Sequence, residues 1–195
     1  MKRTPVRALL WLVAILLIAS PSLIGGARPA RPNDESAHFV TRLLGPFSEL
    51  AAQMQWIRVQ HAIRSGRSER ALARAETALS LDPHNTEGWR FVATYLALDL
   101  GSPNTEPNPA RRRALIRSGL QLLERGERTA ESRQQLALWS GLILITHAEI
   151  DPELGWPTGT RGLWSEAADA FDRAVELGST EAEALAHSAR ERASD

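Results

Sequence analysis

The chain contains no cysteine. Disulfides, thiolate metal sites, a cysteine nucleophile and a lipidated cysteine are thereby excluded. Lysine is nearly missing too: Lys2 is the only one, and every other basic residue is arginine. That bias reads as genome composition rather than chemistry. An excess of one charge is also lacking, because Lys plus Arg and Asp plus Glu are both 23. Binding of nucleic acid through bulk positive charge is therefore not expected. No sustained alternation of period two occurs, and the few β-branched residues lie scattered among Ala, Leu, Glu and Arg, so strands are not expected either. The chain carries no GxSxG, no phosphate-cradling glycine loop and no HExxH. What is present is 195 residues with 43% hydrophobic and 24% charged side chains, the make-up of one folded domain with an appended segment.

That segment is the start of the chain. Lys2, Arg3 and Arg7 precede the apolar run of residues 8–19, and Ser20, Pro21 and Ser22 interrupt it before Leu23, Ile24, Gly25, Gly26 and Ala27. A basic start, an apolar stretch and small residues before a cut describe a secretory signal, with cleavage after Ala27. Counted to Ile24, the run also nears the lower limit of about 17 residues for crossing a bilayer, so an uncleaved anchor is the alternative. In both readings residues 28–195 are exported to the periplasmic side, soluble or held at the inner membrane. Residues 1–27 hold three basic and no acidic residues, so the remainder has 20 basic against 23 acidic, or −3. Residues 28–35, with Pro29 and Pro32, read as an extended tether to a domain spanning 36–195.

From there the pattern is helical, and two stretches match without a gap, residues 66–81 and 162–177. Gly66 falls on Gly162, Ala71 on Ala167, Ala75 on Phe171, Ala78 on Ala174 and Leu81 on Leu177. Small alanines at these spacings let a neighbouring helix approach closely, and Ala167, Ala170, Phe171, Ala174 and Val175 form one apolar stripe. The first copy closes on Leu81, Asp82 and Pro83, and the next helix opens with Trp89, Val92, Ala93 and Leu96. In these features the chain resembles the tetratricopeptide repeat (TPR) family, whose unit is a helix pair of roughly 34 residues.

The resemblance implies an all-α, short solenoid of helical hairpins with about three degenerate units. These are residues 50–83, then 86–100 paired with 111–125, then 130–149 paired with 163–177, followed by a closing helix over 180–193. Unit two departs from the family at Arg112 and Gly119, where small and alanine-like residues are expected. Such repeats expose a concave surface on their leading helices. By resemblance the groove positions are Gln53, Trp56, Gln60, Ile63 and Arg64, then Glu87, Arg90, Thr94 and Leu98, then Ser140, Leu144 and His147. The family's carboxylate clamp does not carry over, because Trp56 and Gln60 stand where it has Lys and Asn.

Four tryptophans, at 56, 89, 139 and 164, sit among apolar helical neighbours and read as core. Trp156 differs, lying in the Gly/Pro-rich stretch 151–161. That stretch and residues 102–110 interrupt the second and third hairpins at equivalent turns, so both are expected on one side as surface insertions. His147, Glu149 and Asp151 are close in sequence but too few for a metal shell. Arg111, Arg112 and Arg113 read as a solvated helix start, the alternative being a hold on an acidic partner or a lipid headgroup. The pattern thus points to a protein-binding module or scaffold subunit with a protein partner, no cofactor and no catalysis of its own. The membrane would be a second partner only through an uncleaved N-terminal segment. The alternative is an exported enzyme or small-ligand domain with its site near 151–161. A passive subunit buried in a larger assembly is a third reading.

Overall fold

The computed structural model describes residues 47–151 and 153–194. The segments read as signal or anchor and tether, 1–27 and 28–35, lie outside the described residues. Among those residues every regular element is helical, so the all-α expectation holds. The helices are α1 (Phe47–Arg64), α2 (Ser68–Leu81), α3 (Thr86–Thr94), α4 (Pro109–Gly126), α5 (Arg133–Ile150), α6 (Gly159–Glu176) and α7 (Ala182–Ser194). A π-helical segment, Tyr95–Leu100, continues α3. No helix of the described residues is long and apolar enough to cross a membrane.

Local chemistry sets the ends. Asn85 caps α3, its side-chain oxygen accepting from Gly88 N at 2.9 Å. Asn108 caps α4 by accepting from Ala110 N and Arg111 N at 2.9 and 3.3 Å, with Pro109 in the first turn, where its missing N–H costs nothing. Two helices end alike. Gly66 and Gly178 have φ of +68° and +102°, conformations that glycine adopts without steric cost. Each donates to the carbonyl three residues back and the next residue donates to the one five back: Gly66 to Ile63 and Arg67 to Ala62, Gly178 to Val175 and Ser179 to Ala174. This double closure satisfies carbonyls that a helix end leaves open. The match of Gly66 with Gly162 implies a turn glycine at both places, and at Gly162 that expectation is corrected. Helix α6 begins at Gly159, so Gly162 lies within its first turn and is no turn residue.

Consecutive helices pack as hairpins: α1 on α2, α3 with its π segment on α4, and α5 on α6, with α7 closing against α6. Helices α2 and α3, α4 and α5, and α3 and α5 join the hairpins into one core. Burial of Ala71, Ala78, Ala167 and Ala174 puts the expected small residues at the tight contacts. Large rings fill the spaces opposite glycine. A Cβ on Gly126 would sit 2.7 Å from Trp89 Cγ, and one on Gly141 would sit 2.6 Å from Phe171 Cζ. Gly119 follows the same logic, since a Cβ there would lie 2.8 Å from the Ala93 carbonyl. That close approach of α4 to α3 explains a glycine where the repeat pattern asks for alanine.

Candidate functional site

The leading helices α1, α3 and α5 carry most of the side chains that sequence reasoning singled out. On α1, Gln53, Gln60 and Arg64 are exposed, with Trp56 and Ile63 half-buried beside them. On α3, Glu87 is exposed and Arg90 and Thr94 are half-buried, as is Leu98 in the π segment. Aromatic and arginine contacts join these faces. Trp56 meets Phe91 edge-on, with ring centroids 6.1 Å apart, and its ring presses so closely on Gly88 that a Cβ there would lie 2.6 Å away. Arg90 pairs with Glu87 one turn back. Its guanidinium sits 4.9 Å from the centre of the Trp139 ring on α5, an attraction of cation to π face. Trp56 and Phe91 thus link α1 to α3, and Arg90 and Trp139 link α3 to α5, a row of two contacts across three helices.

The third set of groove positions is corrected. Ser140, Leu144 and His147 are buried and do not share the exposed face with Glu87 and Arg90. Helix α5 is apolar around most of its circumference, so its outward face cannot be read from periodicity. Gln135, Trp139, Leu142, Thr146 and Glu149 are exposed or half-buried at helical spacing and define the outward face. Because each residue turns a helix by about 100°, a choice one position off places a side chain on another side. Phe91, exposed at 38%, was missed as well. Its spacing of four from Glu87 and three from Thr94 would have found it.

Ser140 and Leu144 instead line an open cleft of about 660 Å³ between α4 and α6, with Leu120, Glu127, Trp156 and Arg173. Trp156 is not an exposed loop platform. It is buried, its Nε1 donates to Glu166 Oε1 at 2.8 Å, and the Arg117 guanidinium lies 5.0 Å from its ring centre. Burial holds the Glu127 carboxyl above its ordinary range, opposed chiefly by the positive field of Arg173. Glu127 Oε1 lies 3.8 Å from Arg173 and is buried without a hydrogen-bond partner. Trp89 and Trp164 are core as expected, whereas Trp56 and Trp139 are only half-buried.

A buried polar centre ties the two loops together. The reading of Arg112 as solvated is corrected, since its guanidinium clamps Asp151 with Nε at 2.7 Å and Nη2 at 3.0 Å. Its remaining nitrogen, Nη1, donates to the carbonyls of Glu106 and Pro107 at 3.2 and 3.0 Å. Arg113 donates to the Leu154 carbonyl at 2.6 Å. Both loops therefore do lie on one side, but as anchored elements. Next to Asp151, His147 Nε2 donates to the Ala97 carbonyl at 2.9 Å. The π segment creates that acceptor: Gly101 N bonds to Leu96 O, five residues back, leaving Ala97 O free. Burial lowers the His147 pKa, opposed by the Ala97 hydrogen bond and by the charge of Asp151, while Arg112 adds to the lowering. These side chains are spent on the fold. Among the described residues no group of three or more His, Cys, Asp or Glu could hold a metal ion.

The described residues thus form successive helical hairpins, with aromatic and arginine contacts between the leading helices. No family model matches the chain, and no curated protein or solved structure matches it.

Proposed function

We propose that the chain is a TPR-like solenoid of three degenerate units, exported and acting as a protein-binding module or scaffold subunit without catalysis of its own. The observation that carries this reading is the row of Trp56, Phe91, Arg90 and Trp139. Aromatic and arginine side chains dominate the energetics of protein interfaces, and helical hairpins set side by side suit an extended peptide or a partner helix. The groove then consists of Gln53, Trp56, Gln60 and Arg64, of Glu87, Arg90, Phe91 and Thr94, and of Gln135 and Trp139 in place of the buried α5 set. Signal or anchor function for residues 1–27 belongs to this proposal, since a binding module on the periplasmic side needs that route.

Site-specific photo-crosslinking in cells tests it. A photoreactive residue at Phe91 and another at Gln135 should each trap the same polypeptide, and Arg90→Ala should weaken both crosslinks. Absence of a shared crosslink, with trapping only from Gln121 beside the α4–α6 cleft, would overturn the groove. A second reading rests on that cleft, where Glu127 Oε1, without a hydrogen-bond partner and 3.8 Å from Arg173, shares the lining with Arg133 and Trp156. There a small ligand with a hydrogen-bond donor would be held, and it would quench Trp156 fluorescence without touching the Phe91 crosslink.

A further inference from the structure

The first hairpin carries a surface that shares only Arg64 with the groove. Phe47, Leu50, Met54 and Ile57 are exposed at 61%, 57%, 49% and 67%. They follow one another at steps of three and four, which places them on one face of α1. Of the groove positions on α1, Trp56 and Gln60 lie on another face of the helix, while Arg64 stands at the border of the two. Ile57 also borders an open cleft of about 320 Å³ whose remaining lining includes Arg58, Arg64, Arg67, Arg70 and Arg74. No carboxylate lines this cleft. Among the described residues none of the five arginines has an acidic partner within salt-bridge distance. Elsewhere arginines are largely spent: Arg112 on Asp151, Arg190 on Asp172, and Arg90, Arg117, Arg125 and Arg192 on tryptophan rings. Five arginines without carboxylates, beside four exposed apolar side chains, stand apart in a chain with no net charge.

We propose that the α1–α2 hairpin docks on the surface of an anionic phospholipid membrane, with the apolar stripe at the acyl boundary and the arginines on lipid phosphates. Apolar side chains flanked by cations are the make-up of surfaces that lie in the headgroup region, and each arginine adds attraction to a negative leaflet. Charge decides between occupants. A second copy of the chain would bring five more arginines against these five, whereas lipid phosphates neutralise them. Proximity agrees with this choice. Only residues 25–46 separate Ile24, at the end of the apolar N-terminal run, from the start of α1, a reach of at most about 80 Å when fully extended.

Because the chain has no cysteine, one introduced thiol reports one place. The full-length protein would carry an environment-sensitive fluorophore on Ile57→Cys or, as control, on the exposed Ser188→Cys of α7. It would be reconstituted into vesicles of phosphatidylcholine alone or with added phosphatidylglycerol. The fluorophore at 57 should shift to the blue and be quenched by lipid-borne spin labels only with phosphatidylglycerol, while the one at 188 stays in water. High salt should reverse the shift, since charges near water are screened within about 10 Å at 0.1 M. In the combined variant Arg67→Gln, Arg70→Gln and Arg74→Gln, the ratio of docked to free hairpin should fall roughly a hundredfold, from about fivefold per arginine. A fluorophore at 57 that stays in water with phosphatidylglycerol, or shifts equally in phosphatidylcholine, overturns the proposal. So does a shift untouched by salt and by the triple variant. Spin labels at 57 that couple between copies without lipid overturn it in favour of a dimer, and a shift driven by an added acidic polypeptide instead of lipid overturns it in favour of a protein. The crosslinks from Phe91 report on the groove separately, so either can fail alone.

Discussion

Arg112 and Asp151 leave water together, their side chains 6% and 4% exposed. Removing two charges from water is expensive, and the cost is offset here because every guanidinium nitrogen and both carboxylate oxygens find partners. Breaking the pair from one side strands the other charge. Arg112→Met should therefore lower the unfolding free energy by about 3–5 kcal/mol, and Asp151→Leu added to it should restore most of that loss. Urea denaturation of the single and double variants would measure both steps. His147 contributes a dependence on pH. Its pKa in the folded protein lies below the ordinary 6.5, so below that pH the unfolded chain binds more protons than the folded one. Stability should thus be full above pH 6.5 and fall as the pH drops toward the lowered folded value. His147→Gln keeps a donor for the Ala97 carbonyl and removes the titration. Its melting temperature should be flatter across that window, and an unchanged slope would contradict the assignment. From sequence, His147 and Asp151 were visible as neighbours on a helix, but Arg112 and Ala97 were not. Those partners lie 39 and 50 residues away, and only folding brings them near.

At the scale of helices, glycine opposite a ring is the recurring device. Gly141→Ala sets two effects against each other. Alanine favours a helix over glycine by about 1 kcal/mol, but the new Cβ would meet Phe171, which is fully buried and cannot yield. Overpacking of this kind costs about 1–3 kcal/mol, so Gly141→Ala should be net destabilising. The same change at Gly178 tests backbone strain alone, since nothing lies within 4 Å of a Cβ there. Thermal unfolding of the two variants separates packing from conformation. Helix bounds were largely legible, because Asn85, Asn108, Pro109, Gly66 and Gly178 punctuate the chain by local chemistry. The π segment was not, since leaving the Ala97 carbonyl free is compensated only by His147 from another hairpin. The outward face of α5 was misread for a related reason. The half-buried Leu142 and Ile145 are as apolar as the buried Leu136, Ile143 and Leu144, so hydrophobicity alone does not choose a side.

Considered whole, the chain divides its surface by helix face. One side of α1 continues into the row that runs through Phe91 and Trp139, another bears the apolar stripe and borders the arginine cleft, and α4 and α6 frame a separate cleft. The gap-free match of residues 66–81 with 162–177 made the succession of hairpins legible, because equivalent helices need the same small residues at the same spacing. The accessible surface was legible only for two leading helices of three. What each proposed surface meets depends on where the chain resides, and we propose that residues 1–27 set it. The basic start and apolar run predict transport out of the cytoplasm, with or without cleavage after Ala27. An export-dependent reporter fused after Asp195 should be active in bacteria, and deletion of residues 8–19 should abolish that activity. Cleavage and anchoring then separate by size and by washing: a cut chain is shorter by 27 residues and released in soluble form, whereas an anchored one keeps its N-terminus and stays with the membrane. If the arginine cleft holds lipid as proposed, even the cut chain should be retained on anionic membranes at low salt and released at high salt, which an anchored chain would not be. A reporter inactive with residues 8–19 intact would remove export, and both surfaces would then have to find their partners on the cytoplasmic side.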